Sequence, residues 1–359
     1  MTATDLQLQD ISHFLRRTLA AFITGDVQPP VDAKLDWRTL QEVVRTRNLG
    51  ALFSFCHDHT PLPPPVIQEW RRMKMLTTLQ NLAKLKITTD LTALAEKAGI
   101  RAVAMRGIVL AHWLYPDPAM RPMHDIDLLV RPADKEKFHN AMLAAGHTPT
   151  EYFRSQYVYM INNVTVEVHW QLLSNKRYRE RMDSDLLVSS AVRVDPASGP
   201  LYRLADTWEV IGLVVHAFTH HNLSQLFSLI DIGLYLRNKE VDWQEIGRLS
   251  EEMGIARMMH LTFAFIDHLF GLGVEAKVLD YFSPESKNAA PYFQAYLDQA
   301  LAGITLSTHL AIKQSQFYVA ETYGNKGREF LRLFSTKERR FLLELMTAHF
   351  FNTKQRLKA

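Results

Sequence analysis

Apolar residues recur at helical spacing along the first hundred positions. Ile11, Phe14, Leu15, Leu19 and Phe22 mark one face of a helix over Leu6 to Phe22. Asp36-Trp37 opens a second helix through Leu40, Val43 and Val44, and Asn48-Leu49-Gly50 breaks it. A short helix through Phe53 and Phe55 follows. Pro61, Pro63, Pro64 and Pro65 stop and restart the pattern, which then runs from Val66 to Lys97 until Gly99 ends it.

The period changes at Ile100. Ile100 to Met105 is short, apolar and bounded by glycines, which predicts a strand. Gly107 starts a helix to Leu114, and Pro116 and Pro118 end it in a loop. Residues 124–130 read as the next strand. Pro132 suits the first position of a helix that Gly146 closes. Tyr157 to Ile161 and Val164 to Leu172 form a predicted hairpin, because Asn162-Asn163 between them tolerates positive φ. A further strand pair is expected at Ala191–Val194 and Leu201–Arg203, around a turn at 195–200. Helical spacing then returns in Trp208 to His221, Leu226 to Leu236, a helix opened by Asp242-Trp243, and Arg257 to Leu272. Segments over 291–323 and 337–351 complete it, ahead of a basic tail. The layout is α+β: a small mixed β-sheet core over residues 99–204, flanked by an N-terminal helical region (1–98) and a C-terminal helical region (205–359).

Composition narrows the class. The 359 residues are 47% hydrophobic and 22% charged, ordinary values for a globular protein. A net charge of +3 does not by itself argue for nucleic acid. The single cysteine, Cys56, excludes a disulfide framework or a cysteine-based zinc site. The apolar windows at Val210–Phe218 and Leu261–Leu272 are interrupted by His216, and by Asp267 and His268. Neither reaches the roughly 20 residues of a membrane span. A cytoplasmic protein with no membrane partner is the expectation.

The chemistry concentrates in two strands. In His124-Asp125-Ile126-Asp127-Leu128-Leu129-Val130 the two aspartates share one face, and Ile126, Leu128 and Val130 share the other. Neighbouring carboxylates on an apolar strand repel and cost desolvation unless a cation neutralises them. In Val164-Thr165-Val166-Glu167-Val168-His169-Trp170 the polar face carries Thr165, Glu167 and His169. Glu167 joins the aspartates if the two polar faces meet. Three acids so placed suit magnesium, which takes oxygen ligands from a few carboxylates and substrate phosphates.

The ordered set Arg106, Gly107, Tyr115, Arg121, Asp125-Ile126-Asp127-Leu128-Leu129-Val130, then Glu167-Val168-His169-Trp170, His216, His220, Asp231 and Asp242-Trp243 resembles an uncharacterised bacterial nucleotidyltransferase family of the DNA polymerase beta-like superfamily. The resemblance implies a nucleotidyltransferase core and metal-dependent transfer of a nucleoside monophosphate from a nucleoside triphosphate to an acceptor hydroxyl. It implies Asp125, Asp127 and Glu167 as catalytic residues and ligands of magnesium, as one ion or two, with manganese as an alternative. Arg106, Gly107, Arg121 and His169 are the expected nucleotide- and phosphate-binding residues. The acceptor is left open between a small molecule, a protein and RNA. In place of the superfamily's Gly-Ser or Gly-Gly, this chain has Arg106-Gly107-Ile108. That departure keeps alive a nucleotide-binding protein without turnover. A toxin-like transferase acting on tRNA or protein is a further alternative.

Structural roles compete at several positions. Arg121 is able to pair with Asp125 or Asp127 as a plain salt bridge. His216, His220 and His221 lie at helical spacing, and with no His-Glu-x-x-His pattern they read as packed or hydrogen-bonded rather than zinc-binding. The basic runs at Arg71, Arg72 and Lys74 and at Lys337, Arg339 and Arg340 read as solvated helix faces.

Overall fold

The computed structural model describes residues 3–26, 35–58, 61–173, 178, 181–194, 200–238, 240–274, 278, 279, 282, 292, 293 and 296. The first four helices are α1 (Ala3–Thr24), α2 (Trp37–Thr46), α3 (Gly50–Cys56) and α4 (Pro64–Lys97). Asp36 caps α2, its carboxylate accepting the backbone N–H groups of Arg38 at 3.1 Å and Thr39 at 3.3 Å. Pro64 opens α4, where its fixed φ suits the first turn and its missing N–H costs nothing. The middle of the chain then gives β1 (Val103–Met105), α5 (Gly107–Trp113), β2 (Asp125–Leu129), α6 (Lys135–Ala144), β3 (Pro149–Tyr152), β4 (Gln156–Ile161), β5 (Val164–His169), α7 (Ser184–Ser189), β6 (Val192–Arg193) and β7 (Tyr202–Arg203). Helices α8 (Asp206–His221), α9 (Leu226–Asn238), α10 (Trp243–Glu252) and α11 (Ala256–Phe270) follow. The helical segments expected over 291–323 and 337–351, the turn at 195–199 and the basic Lys337, Arg339 and Arg340 lie outside the described residues, apart from 292, 293 and 296.

The architecture is α+β. Seven strands among the described residues form one mixed sheet in the order β3-β4-β5-β2-β1-β7-β6. Strands β2 and β5 run parallel, as do β1 and β7, and the other pairs are antiparallel. The β4–β5 hairpin turns at Asn162 (φ 51°) and Asn163 (φ 63°), the double positive φ that its Asn-Asn link predicts. Strand β3 is absent from the sequence-based expectation. It is an edge strand with one buried residue, Pro149, and three exposed ones, so it carries no apolar alternation to read. Ile126, Leu128 and Val130 are fully buried, as are Val166 and, within 1%, Val168. Among the described residues, no helix is long and apolar enough to cross a membrane.

The helical regions from the two ends of the chain meet. Helix α1 packs on α9 and α11. Arg16 donates from Nη2 to the carbonyl of His268 at 2.8 Å and from Nε to that of Leu269 at 3.3 Å. A Cβ at Gly233 of α9 lies 3.0 Å from Ile23 Cδ1, so the absent side chain lets α1 approach closely.

A buried polar cluster ties the C-terminal helices to the sheet. Asp231 of α9 accepts from Arg121 Nη2 at 2.8 Å, from Nε at 3.1 Å and from the Tyr115 hydroxyl at 2.7 Å. Arg121 Nη1 donates to the carbonyl of Pro122 at 2.6 Å. Asn81 of α4 donates to the carbonyls of Arg121 at 3.0 Å and Pro118 at 2.8 Å. Asp231 is 0% exposed and Arg121 8%. Removing one member of a buried ion pair leaves an uncompensated charge, at a cost of about 3–5 kcal/mol. Asp231→Ala is therefore expected to lose stability on that order, read as a lower urea midpoint with an unchanged m-value. A loss below about 1 kcal/mol would show that the cluster is not holding the two regions together.

Candidate functional site

The register of β2 against β5 builds the site. In this parallel pair Asp127 stands opposite Glu167, Asp125 opposite Thr165, and Leu129 opposite His169. The two polar faces coincide and form the wall of a cavity of roughly 640 Å³. Asp127 is 7% exposed, at the bottom of that wall. His169 Nε2 lies 2.9 Å from Asp127 Oδ1 and 3.4 Å from Glu167 Oε2. One donor atom each from Asp127, Glu167 and His169 falls within 4.8 Å of the others. Asp125 lines the same cavity, but its carboxylate is outside that group. Gln156 of β4 donates to Glu167 Oε2 at 2.6 Å and fixes its orientation.

Arg106 closes the charge balance. Its Nη1 donates to Asp127 Oδ2 at 3.0 Å and its Nη2 to the carbonyl of Leu172 at 3.2 Å. Both Asp127 oxygens thus face a cationic or hydrogen-donating partner. Burial acts to raise the Asp127 carboxyl, but Arg106 and His169 outweigh it and hold the group well below the usual carboxylate range. Asp125 goes the other way: burial raises it, and the nearby Asp127 and Glu167 charges raise it further. At His169 burial lowers the imidazole, and its bonds to Asp127 and Glu167 win, so its proton is held more tightly than usual.

The expected phosphate-binding residues divide. Arg106, Gly107, Arg121 and His169 all line the cavity. Arg121 has a protein partner at each of its three nitrogens, and its carboxylate is Asp231, neither Asp125 nor Asp127. In this structure Arg121 is a buried strut between Asp231 and the Pro122 carbonyl, with Asp125 adding to the compensation of its charge. Arg106 is held on Asp127 rather than turned outward. At Gly107 an added Cβ lies 3.0 Å from Met123 Cβ, so this glycine lets the start of α5 pack against the chain entering β2.

Arg106 also carries unusual backbone geometry, φ 54° and ψ −125°. That region costs a residue with a side chain of order 1–3 kcal/mol. Its N–H is held by Glu209 of α8, a 2% exposed carboxyl whose other oxygen, Oε2, has no hydrogen-bond partner. The sequence signal was available, since Glu209 interrupts the apolar run of Trp208 to Val215.

Helix α8 supplies the facing wall. His216, His220 and His221 line the cavity opposite the carboxylates, with His216 Nε2 and His221 Nε2 3.2 Å apart. Burial pushes His216 well below the ordinary imidazole range and lowers His220 and His221, so all three are neutral at pH 7. Their helical spacing puts them on one face, but which surface that face meets was not readable from spacing. The N-terminal helical region reaches the cavity too, through Thr46, Arg47 and Asn48 at the end of α2.

Burial raises the Glu209 carboxyl from its ordinary 4.5 to about 8. The folded protein keeps this proton where the unfolded chain has lost it, so stability falls as pH rises from about 4.5 to about 8. Glu209→Gln removes that titration. Urea unfolding at both ends of this window is expected to show a smaller stability difference in the variant, by of order a few kcal/mol. An equal pH dependence in both proteins would place the Glu209 proton elsewhere.

Comparison with known proteins gives the geometry a context. A family model described as uncharacterised nucleotidyltransferase matches residues 33–271. No curated protein matches significantly. One solved structure, a solution structure of the antibiotic-resistance factor ANT(2'')-Ia described as showing substrate-regulated conformation dynamics, aligns at 10% identity and a TM-score of 0.34. The alignment covers 53% of this chain and 95% of that one. The overlap is too loose to carry an argument. The family match spans about two thirds of the chain and contains every residue of the cavity wall named above, so the chain belongs to the uncharacterised nucleotidyltransferase family.

Proposed function

We propose that this cavity transfers a nucleoside monophosphate from a nucleoside triphosphate to an acceptor hydroxyl, with a divalent cation held at Asp127 and Glu167. The observation that carries the reading is the pairing of these two carboxylates across parallel strands, with a third donor within 4.8 Å. Two oxygens and an imidazole nitrogen are a donor set that fits a divalent ion. When bound, such an ion lowers the pKa of the attacking hydroxyl and neutralises charge on the phosphates.

The chain's own groups have distinct tasks. The acceptor oxygen bonds to the α-phosphorus, the bond to the bridging oxygen breaks, and pyrophosphate leaves. Glu167, oriented by Gln156, takes the acceptor proton. Asp125 faces the same cavity and is available to a cation arriving with the triphosphate. Arg106 neutralises Asp127 and would be free to bind phosphate oxygens if a cation took its place on that carboxylate. The neutral histidines of α8 offer hydrogen bonds to base, ribose or acceptor without adding charge.

One observation favours a second reading. The Arg106–Asp127 pair at 3.0 Å fills the place of a cation with a protein charge, as expected in a nucleotide-binding protein without turnover. Calorimetric titration of each nucleoside triphosphate, with and without magnesium or manganese, is expected to show metal-dependent binding to the wild type. Asp127→Ala is expected to weaken it by at least about tenfold. Equal binding by the variant would remove the carboxylates from substrate recognition. Arg106→Ala separates the two readings. It weakens triphosphate binding if Arg106 turns to the phosphates, and strengthens metal binding alone if Arg106 merely blocks the site.

A further inference from the structure

We propose that the cation at this site is bound through nitrogen as well as oxygen, with His169 Nε2 as a direct ligand, and that the site therefore selects a transition-series ion of the manganese-to-zinc type over magnesium. The inference rests on the metal-dependent reading above and changes its ligand set. The three-carboxylate arrangement expected from Asp125, Asp127 and Glu167 is displaced by one step along the sheet.

Register explains the displacement. Asp127 and Glu167 are direct cross-strand neighbours, while Asp125 stands opposite Thr165 at the other side of Asp127. His169 follows Glu167 by two residues on the same face of β5. Its own partner across the strands is Leu129, which offers no polar atom, so the ring leans back to Asp127. The two spacings from His169 Nε2, now a hydrogen bond and an ion-pair contact, match those of ligands around one ion, which would take the place of the Nε2 proton. Ligand atoms about 2.1 Å from a metal lie roughly 3.0 Å apart at right angles and roughly 3.4 Å apart at tetrahedral angles. His169 Nε2 is 2.9 Å from Asp127 Oδ1 and 3.4 Å from Glu167 Oε2.

The surroundings support nitrogen ligation. Glu167 is anchored by Gln156, an outer partner that fixes a ligating carboxylate. The opposite wall adds three more imidazoles, and His216 Nδ1 is buried with no hydrogen-bond partner. Magnesium prefers an all-oxygen, well-hydrated shell, whereas imidazole suits the later divalent ions. A buried site with imidazole on both walls is a poor match to magnesium.

The test uses the full chain without nucleotide, titrated separately with Mn²⁺ and Mg²⁺ by calorimetry. Pulsed electron paramagnetic resonance of the Mn²⁺ form then reads its ligands. Mn²⁺ is expected to bind at least about tenfold more tightly than Mg²⁺, with an echo modulation from imidazole nitrogen. His169→Ala is expected to lose that modulation and at least about tenfold in Mn²⁺ affinity, while Mg²⁺ affinity stays near that of the wild type. Bound Mn²⁺ without nitrogen coupling, equal or tighter Mg²⁺ binding, or no Mn²⁺ binding at all overturns the proposal. None of these outcomes touches the nucleotidyl-transfer reading, which depends on triphosphate binding and its loss in Asp127→Ala.

Discussion

The buried pair of Arg121 and Asp231 is the constraint on which the rest of the structure depends. A guanidinium placed just before a core strand needs a carboxylate, and among the described residues the one it bonds to stands on α9, 110 residues further along the chain. The pair sets how the C-terminal helices lie against the sheet, and Tyr115 and Asn81 extend it to α4 and to the loop after α5. Helix α8, which leads into α9, is thereby held with its histidines facing the polar side of β2 and β5. Buried ion pairs add little net stability but lose much when half is removed. Here the gain lies in position, since the cluster adds a directional polar contact to helices that are otherwise packed through apolar side chains.

The site itself is a second problem in buried charge. Asp127 is nearly inaccessible on a strand whose other face is fully apolar. Left alone it would take up a proton. Arg106 on one oxygen and His169 on the other keep it ionised. Arg106 reaches Asp127 from a backbone conformation that is costly for a side chain, and Glu209 holds the backbone N–H there. The strain, the buried carboxyl and the orphaned Oε2 all converge on the turn that opens α5. Deviations of this kind are expected where a fold places chemistry before stability. On the proposed metal-dependent reading, a cation and Arg106 would compete for the same carboxylate.

Much of this was legible in the chain. The helical and strand periods placed most of the described elements; β3 and the short helix α7 were not among those expected. Strand β3 is an exposed edge without alternation, and β1 is shorter than its apolar run because Ile100 and Ala102 are buried outside the ladder. Period-two alternation put Asp125 and Asp127 on one face, and Glu167 and His169 on another. Asn162-Asn163 announced the hairpin that presents the second face. Arg121 and Asp231 stand out in sequence as charges in apolar surroundings, but no local pattern says that they are each other's partners.

The sequence by itself determined which elements form and which face of each carries polar groups, because side-chain alternation and helical spacing are local properties of the backbone. Pairings between distant elements are not local. Only the tertiary structure decided that β2 and β5 run parallel in a register that sets Asp127 beside Glu167, that His169 rather than Asp125 completes the closest donor group, and that the histidines of α8 face them. Those outcomes depend on how buried charges find compensation, and each such choice is made by the whole core at once.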